Sequence, residues 1–262
     1  MRNPIITLTT DFGYRDPFVG IMKGVILDIN PFVTIVDITH GISPQNILEA
    51  AIAIEMSFES FPPRTIHVVI VDPGVGSRRR PVVVTTDYHY FIGPDNGVFS
   101  LVYNLSKSLN VMHITAQHYF LPQRSSTFHG RDIFAPVAAW LSRGIEVSKF
   151  GEPIKDYVTM KVPTPVMVKK NILEGEVIYV DRFGNAITNI KARDIIDREK
   201  FKVMVKGKEA PFKDHYSQAE EAGLYSLINS FGYLELFMYR GNASSHFGIT
   251  VGEKVGVVLA GV

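Results

Sequence analysis

The chain has 262 residues, no cysteine and a formal net charge of +1 at pH 7, with 46% hydrophobic and 20% charged residues. The lack of cysteine excludes disulfides, thiolate metal sites and cysteine nucleophiles. The near-neutral charge gives no reason to expect nucleic acid or a membrane as a partner, so we expect a small molecule. No apolar stretch has the length of a signal peptide or a membrane span, and we therefore expect a cytoplasmic protein.

Strand and helix patterns alternate through the first seventy or so residues. β-Branched runs at 5–10, 34–38 and 66–71 predict strands. Between them, apolar residues recur at helical spacing over 18–29 and over about 44–58. This β-α-β-α-β order predicts an α/β fold with a mostly parallel sheet covered by helices.

The following segment extends the same sheet. Strand patterns at 81–86 and 88–92 predict a hairpin within or beside it, and residues 111–115 predict a further strand. Residues 133–141 predict an apolar helix. Pro136 is compatible with that helix only near its first turn, because proline lacks the N–H that later turns require.

The run Lys161-Val162-Pro163-Thr164-Pro165 predicts a linker, because alternating prolines continue neither helix nor strand. We therefore expect an α/β N-terminal domain over residues 1–163 and a smaller β domain over residues 166–262. Short strand patterns separated by Gly and Asp or Asn turns predict a small barrel or sandwich in the second domain. They cover residues 173–180, 186–190, 202–206, 233–238 and 254–259.

Two predicted strands end in an aspartate followed closely by glycine, at Asp11 and at Asp72. Ligands of open parallel sheets bind at the carboxyl ends of the strands, so both aspartates and the turn at Asp95-Asn96 are expected to gather at one edge. A carboxylate there can accept hydrogen bonds from both ribose hydroxyls. Each aspartate alone is also typical of a turn or a helix cap.

Three arginines, Arg78, Arg79 and Arg80, follow Asp72. A charge run after a strand is commonly a solvated face, and we expect two of the three arginines to lie there. We expect the third to form a buried ion pair with Asp72. The glycines at 74 and 76 match neither a P-loop nor a dinucleotide fingerprint in their spacing.

The eight histidines show no spacing typical of a zinc site, so no metal is expected. His67 lies in a predicted strand and is expected to be a core residue. His129 differs, because it stands in a Ser/Thr/Gly-rich loop beside Arg131 and Asp132, where an imidazole could transfer a proton. The neighbouring serines lack the nucleophile-elbow pattern, which disfavours a serine hydrolase.

In the second domain, the run Asp181-Arg182-Phe183-Gly184-Asn185 has two interpretations. It is either a plain strand-turn-strand or a loop whose carboxylate and amide hold an ammonium group and an adenine or carboxylate. The turns at 229–232 and 240–244 are similar in composition.

Five motifs in chain order together resemble the S-adenosyl-L-methionine hydroxide adenosyltransferase family, whose relatives include fluorinating and chlorinating enzymes acting on the same substrate. They are Thr9-Thr10-Asp11-Phe12-Gly13, Val71-Asp72-Pro73-Gly74-Val75-Gly76, Pro94-Asp95-Asn96-Gly97, Ser126-Thr127-Phe128-His129-Gly130-Arg131-Asp132 and Asp181-Arg182-Phe183-Gly184-Asn185. The resemblance implies an N-terminal α/β domain with nucleoside-binding strand ends and a C-terminal all-β barrel. It also implies a homotrimer with active sites between subunits.

The resemblance assigns a catalytic set, Asp72, Arg79 and His129, and a set of substrate-binding residues. The substrate-binding residues are Asp11 for the ribose, Asp181, Phe183 and Asn185 for methionine and adenosine, Ser230 for methionine, and also Asp16 and Ala243.

The implied reaction is attack of water on the ribose 5′-carbon, opposite the methionine sulfur, giving adenosine and L-methionine. Arg79 would stabilise the developing hydroxide, His129 would accept its proton or orient the water, and Asp72 would hold the arginine. A hydroxide-like nucleophile and a sulfonium cation neutralise each other, so a water-poor pocket favours the reaction without a metal or an organic cofactor.

Two other functions stay open. A halide could replace water, although the loop at His129 and the absence of an insertion before the second hairpin strand differ from the halogenating relatives. Alternatively, the chain could be a non-catalytic protein that binds adenosine or S-adenosylmethionine.

Overall fold

Alternating strands and helices build the N-terminal unit of the chain, Met1–Val162. The computed structural model describes residues 3–195 and 201–259. The strands of this unit are β1 (Ile5–Thr10), β2 (Thr34–Thr39), β3 (Ile66–Ile70), β4 (Pro81–Thr85), β5 (Tyr90–Pro94), β6 (Asn110–Ile114) and β7 (Gly151–Ile154). Its helices are α1 (Phe18–Ile29), α2 (Ile47–Ser57), α3 (Ser100–Leu105) and α4 (Ala135–Ser142).

In the described residues, these strands form a seven-stranded sheet in the order β2-β1-β3-β5-β4-β6-β7. The pairs β1–β2, β1–β3 and β3–β5 are parallel, and the pairs β5–β4, β4–β6 and β6–β7 are antiparallel. The predicted α/β sheet and the predicted β4–β5 hairpin are therefore confirmed. The carboxyl ends of β1, β2 and β3 lie side by side at one edge.

Apart from the buried His67, β3 is apolar, which follows from its burial on both faces. Val68 packs in a core layer with Met22 and Ile26 of α1, whereas Val69 packs in a second layer with Ile54 of α2. The strand therefore has no polar face, and its first polar side chain beyond the buried stretch is Asp72.

Two helix starts are set by local chemistry. α2 begins later than the pattern predicts, because Asn46 caps it and accepts a hydrogen bond from Glu49 N at 3.1 Å. Pro136 lies in the first turn of α4, as predicted, after a π-helical turn at Gly130–Phe134. Sequence reasoning missed α3 and β7, which are too short to show a clear period.

His67 is a buried core residue, as predicted. Its Nδ1 lies 2.8 Å from Thr7 Oγ1, and its Nε2 lies 3.4 Å from Nδ1 of the buried His89. Burial, and secondarily the charge of His89, lowers the pKa of His67 to about 3. The folded protein therefore holds this imidazole neutral, whereas the unfolded chain protonates it near pH 6.5.

We expect this histidine to weaken the fold in acid. Because its pKa is lower in the folded state, its contribution to stability is complete above pH 6.5 and is lost as the pH falls towards 3. The loss is about 1.4 kcal/mol per pH unit. Denaturant unfolding between pH 7 and 4 would measure it. A His67→Asn variant should show a shallower dependence on pH, and an unchanged slope would contradict the assignment.

The C-terminal unit, Pro163–Val262, is built mainly of antiparallel strands. They are β8 (Val166–Lys169), β9 (Ile172–Val180), β10 (Ala186–Lys191), β11 (Phe201–Val205), β12 (Lys208–Glu209), β13 (Tyr225–Ile228), β14 (Tyr233–Phe237) and β15 (Lys254–Leu259). Two short helices, α5 (Ala192–Ile195) and α6 (Ala243–Phe247), accompany them.

Within the described ranges, the strand order is β12-β11-β15-β9-β10-β14-β13, with β8 added beside β9. The segment after β12 almost closes this sheet into a barrel, since Ala210 N donates to Val203 O at 2.8 Å and Ser226 N donates to Pro211 O at 3.0 Å. Apolar side chains such as Leu234 fill its interior. The predicted C-terminal barrel is confirmed, while the short strands β8, β12 and β13 were not predicted.

No helix found in residues 3–195 or 201–259 combines the length and the apolar character needed to cross a membrane.

Candidate active site

A cavity of about 400 Å³ lies at the carboxyl ends of β1 and β3. Its wall contains Asp11, which follows β1, Asp72, which follows β3, and His129, which lies in the loop before α4. Three residues that sequence analysis took from distant parts of the chain therefore meet at one place. The sheet explains this, because β1 and β3 are parallel neighbours in register.

An aromatic cluster forms the apolar part of the wall. The ring centroids of Phe12, Phe18 and Phe128 lie 5.3 to 6.0 Å apart in tilted or edge-to-face contacts. These three rings give one side of the cavity an apolar, aromatic surface.

Asp72 and Arg79 form a two-pronged ion pair. Nε of Arg79 donates to Oδ1 of Asp72 at 2.9 Å, and Nη2 donates to Oδ2. The side chain of Arg79 is 9% exposed and that of Asp72 is 6% exposed, so water screens the pair weakly. The predicted buried pair is present, and it fixes the plane and position of the guanidinium.

The same guanidinium reaches His129. Nη2 of Arg79 lies 2.9 Å from Nδ1 of His129, and an arginine can only donate, so Nδ1 accepts and the ring proton lies on Nε2. Burial, followed by the positive charge of Arg79, lowers the pKa of His129. The imidazole is therefore neutral at physiological pH.

One guanidinium nitrogen of Arg79 takes no part in these contacts. In the described part of the chain its Nη1 is buried and has no hydrogen-bond partner. The guanidinium also lies 5.2 Å from the ring centroid of Phe134, which cannot accept a strong hydrogen bond. A buried, unsatisfied N–H group is costly, so this atom favours an oxygen acceptor supplied by a ligand or by water.

The loop that carries His129 is tied to a buried carboxylate. Ser125 donates to Oδ2 of Asp132 from its backbone N at 2.7 Å and from Oγ at 3.0 Å, and Arg131 Nε donates to Oδ1 at 2.6 Å. Burial raises the pKa of Asp132, but the bonds from Arg131 and Ser125 outweigh burial and leave the pKa below its usual value. Asp132 is thus ionised and holds the loop in place.

The loop after β3 contacts the His129 loop directly. Gly76 has a φ of +78°, and a Cβ on it would collide with the backbone oxygen of Ser126. Only glycine fits both the left-handed backbone and this close approach. The contact sets the separation between the loop that bears Arg79 and the loop that bears His129.

Asp11 is held through its carboxylate. Its Oδ2 accepts a hydrogen bond from Gln45 N at 2.8 Å, and Gln45 also lines the cavity. Gln45 has a φ of +65°, which a sequence pattern would not predict for glutamine. Asp16, by contrast, is exposed and is not part of the cavity wall.

One expectation about strand-end charges is wrong. Arg80 does not lie on a solvated face, because Nε and Nη2 donate to Oδ2 of Asp95 at 2.9 and 2.7 Å and Nη1 donates to Asp156. Asp95 lies at the same edge of the sheet as Asp11, because β5 is parallel to β3, but its carboxylate is bonded to Arg80 and it does not line the cavity.

The hairpin register explains the Arg80–Asp95 pair. Pro81 at the start of β4 pairs with Pro94 at the end of β5, which brings the preceding Arg80 beside the following Asp95. Asn96 is also used internally, since its Nδ2 donates to Val71 O at 2.9 Å. Arg78 alone of the three arginines is exposed, as expected.

In the C-terminal unit, Asp181 and Asn185 bond to each other. Oδ1 of Asp181 accepts from the backbone N of Phe183 and of Asn185 at 2.9 and 2.8 Å, and Nδ2 of Asn185 donates to Oδ2 at 3.1 Å. These bonds are those of a well-formed turn. Phe183 projects from it and is 76% exposed.

The buried Ala243 lies beside this turn, because Ser244 N donates to Gly184 O at 2.9 Å. Ser230 is exposed in the turn between β13 and β14. That turn adjoins the end of β10, since Ala192 N donates to Gly232 O, whereas the Asp181 turn precedes the start of β10. The strand thus separates Ser230 from the other predicted residues of this unit.

Within residues 3–195 and 201–259, no group of three or more acidic or histidine side chains is placed to hold a metal ion. Sequence reasoning also missed residues near the cavity, among them Gln45 and His40. His40 could have been found, because it follows β2 just as Asp11 follows β1, and β2 is the parallel neighbour of β1.

The fold defines an α/β protein whose cavity lies at the carboxyl edge of the parallel strands, the position that is typical of a small-molecule site in this class. Comparison with known families gives a more specific result. Residues 6–151 match the SAM hydroxide adenosyltransferase N-terminal domain, and residues 175–256 match the C-terminal domain of the same family. The chain belongs to the SAM hydroxide adenosyltransferase family.

The similar proteins include some named as hydrolases and some named as fluorinases. An (R)-S-adenosyl-L-methionine hydrolase from Methanocaldococcus jannaschii is 35% identical, with 97% of this chain and 95% of that protein covered. A fluorinase from Nocardia brasiliensis is 27% identical, with 97% and 98% covered. A crystal structure of a protein from Thermotoga maritima superposes with a TM-score of 0.91 at 34% identity, covering 97% of this chain and 99% of that one.

Proposed function

We propose that this chain is an S-adenosyl-L-methionine hydrolase that forms adenosine and L-methionine. The observation that carries the proposal is the contact chain Asp72–Arg79–His129, whose two ends, Asp72 and His129, line the cavity together with Asp11. The family and the names of the hydrolase relatives support the choice of substrate.

In the proposed reaction, the oxygen of a water molecule forms a bond to the ribose 5′-carbon while the bond from that carbon to the sulfonium sulfur breaks. The sulfur leaves as the neutral thioether of L-methionine, and the water loses one proton. Neutral water is a poor nucleophile, and its very high pKa makes hydroxide scarce at neutral pH, so the site must stabilise negative charge on the water oxygen.

Arg79 is suited to that task. Its Nη1 is a buried donor with no partner among the described residues, and its charge is held in place by Asp72 rather than by solvent. A fixed donor aimed at developing charge needs no reorganisation during the reaction. Neutral His129 completes the set by orienting the water: its Nδ1 is bonded to Arg79, so its Nε2–H donates to the water oxygen, and the proton of the water is released to solvent as the carbon–oxygen bond forms.

The cavity also suits the change in charge during the reaction. A hydroxide-like nucleophile and a sulfonium cation combine to give two neutral products. Transfer into a less polar site therefore penalises the separated charges more than the transition state. The aromatic wall of Phe12, Phe18 and Phe128 supplies such surroundings.

Substrate recognition is part of the proposal. Asp11 would accept hydrogen bonds from the two ribose hydroxyls, since one carboxylate can bind both. The family resemblance supports Asp16, Asp181, Phe183, Asn185, Ser230 and Ala243 as further contacts to adenosine and methionine. The exposed ring of Phe183 is available for stacking on a ligand.

The finer features of the proposal come from the same resemblance. We infer a cytoplasmic homotrimer with sites between subunits, which needs no metal or organic cofactor and binds neither nucleic acid nor membrane. The net charge of +1 is in keeping with a small-molecule substrate.

Incubation with S-adenosyl-L-methionine tests the proposal. We expect equal amounts of adenosine and L-methionine by chromatography, above the amount formed without the protein. In water enriched in oxygen-18, the label should appear in the 5′-hydroxyl of adenosine, because water attacks that carbon.

Two outcomes would replace this function with another. A 5′-halogenated adenosine that accumulates in proportion to added chloride would show a halide-using adenosyltransferase. Tight adenosine binding without any turnover would show a binding protein.

A further inference from the structure

We propose that His40 is a positioning residue that aims the carboxylate of Asp11 at the ribose diol, acting through Thr10 and the backbone of Gly13. This inference rests on the proposed function, in which Asp11 binds the ribose. His40 does not line the cavity and would act on the ligand only through its neighbours.

His40 is hydrogen-bonded to the chain on both sides of Asp11. Its Nδ1 lies 2.8 Å from Oγ1 of Thr10, the residue before Asp11, and its backbone oxygen accepts a hydrogen bond from Gly13 N at 2.8 Å. Thr10 Oγ1 also accepts from Phe12 N at 3.2 Å. The backbone on each side of Asp11 is therefore bonded to His40 or to a partner of His40.

The carboxylate of Asp11 is held by the same segment of chain. Gln45, five residues after His40, donates its backbone N–H to Oδ2 of Asp11 at 2.8 Å. Residues 40–45 thus fix both the backbone and the side chain of Asp11. A carboxylate that must meet two hydroxyls at once needs this control, because small misplacements break one of the two bonds.

Asp37 sets the direction of the hydrogen bonds. Nε2 of His40 lies 3.1 Å from Oδ1 of Asp37, an ion-pair distance without hydrogen-bond geometry, and Lys23 Nζ donates to Oδ2 at 2.6 Å. The negative carboxylate favours the ring proton on Nε2. Nδ1 is then an acceptor, and the Thr10 hydroxyl donates to it.

The imidazole is suited to this fixed arrangement. His40 is 1% exposed, and burial lowers its pKa, so that it stays neutral with a single proton. Burying a polar side chain costs free energy unless hydrogen bonds replace those that it made to water. Here those bonds connect α1 and β2 to the carboxyl end of β1, which Asp11 follows.

Two matched pairs of variants separate this role from a general role in folding. His40→Asn places a polar atom near the position of Nδ1 and can keep the contact with Thr10, whereas His40→Gln places one near Nε2 and cannot. Thr10→Ser keeps the hydroxyl, whereas Thr10→Val removes it at similar volume.

The readout is binding of two ligands, adenosine and 2′,3′-dideoxyadenosine, by calorimetry on the full chain. We expect His40→Gln and Thr10→Val to weaken adenosine binding by about tenfold, the value of roughly one good hydrogen bond. His40→Asn and Thr10→Ser should stay within about twofold of the unchanged protein. None of the four should alter the affinity for dideoxyadenosine, which lacks the diol.

The inference is overturned if the variants lose affinity equally for adenosine and for dideoxyadenosine, or if His40→Asn and His40→Gln have the same affinities. It is also overturned if the wild-type protein binds adenosine no more tightly than dideoxyadenosine. Hydrolysis is measured separately. Binding that follows the expected pattern without any adenosine formed from S-adenosylmethionine would refute the hydrolase and leave the role of His40 in place.

Discussion

Replacing Arg79 with lysine is expected to lower kcat for adenosine formation by about 10²-fold or more, with little change in KM. Loss of one fixed donor to developing charge typically costs about 10²–10³ in rate. Lysine keeps the positive charge, but it cannot bond Asp72 through two nitrogens, reach Nδ1 of His129 and present a further N–H group at the same time. Substrate affinity depends on other residues and should remain. Steady-state kinetics with S-adenosylmethionine would measure both constants.

Arg78→Lys is the matched control, because Arg78 is the exposed neighbour in the same loop and should retain full activity. A second comparison tests whether the ion pair acts as one unit. Asp72→Asn combined with Arg79→Lys should cost little more than Arg79→Lys alone, since groups that act together are not additive. Full activity of Arg79→Lys would show that the guanidinium does not stabilise the nucleophile.

The strands that matter for the cavity could be predicted because their sequences carry a strong signal. The run ending at Asp72 is apolar on both faces, which only a central strand requires, and the two strand-end aspartates fall at one edge once the sheet is parallel. Short elements such as β7 and β13 gave no comparable signal. They depend on neighbours that the local sequence does not specify.

The site itself was predictable by residue type and only partly by pairing. Proximity in the chain predicted that one of the three arginines pairs with Asp72, and the family resemblance assigned Arg79. Arg80–Asp95 depends on the register of the β4–β5 hairpin, which composition does not reveal. The role of Asp132 in holding the His129 loop also depends on geometry, since it requires a buried carboxylate facing Ser125. Sequence patterns identify candidate groups, and the register decides which of them are satisfied by each other.

Gly76→Ala is expected to reduce kcat by about 10²-fold and to cost more stability than a left-handed backbone alone. An alanine with a left-handed backbone costs about 1–2 kcal/mol, and the collision of its Cβ with Ser126 O adds to that cost. The rate cost arises because the new Cβ would collide with Ser126 O, and one of the two loops must move. Nη2 of Arg79 and Nδ1 of His129, which lie 2.9 Å apart, would then separate. A displacement of about 1 Å at reacting groups can lower the rate by about 10²-fold.

Gly144→Ala is the matched control for the stability cost of an alanine with a left-handed backbone. Gly144 has a φ of +92° and nothing within 4 Å of an added Cβ, so it shares the strain but not the collision. Gly144→Ala should lose only the stability due to the backbone strain in denaturant unfolding, Gly76→Ala should lose more, and only Gly76→Ala should lose kcat. If the two variants retained equal activity, the spacing of the two loops would not control catalysis, and Arg79 and His129 would have to act independently. Loss of kcat in Gly76→Ala but not in Gly144→Ala would show that Gly76, through its backbone contact, sets the geometry on which the Asp72–Arg79–His129 set depends.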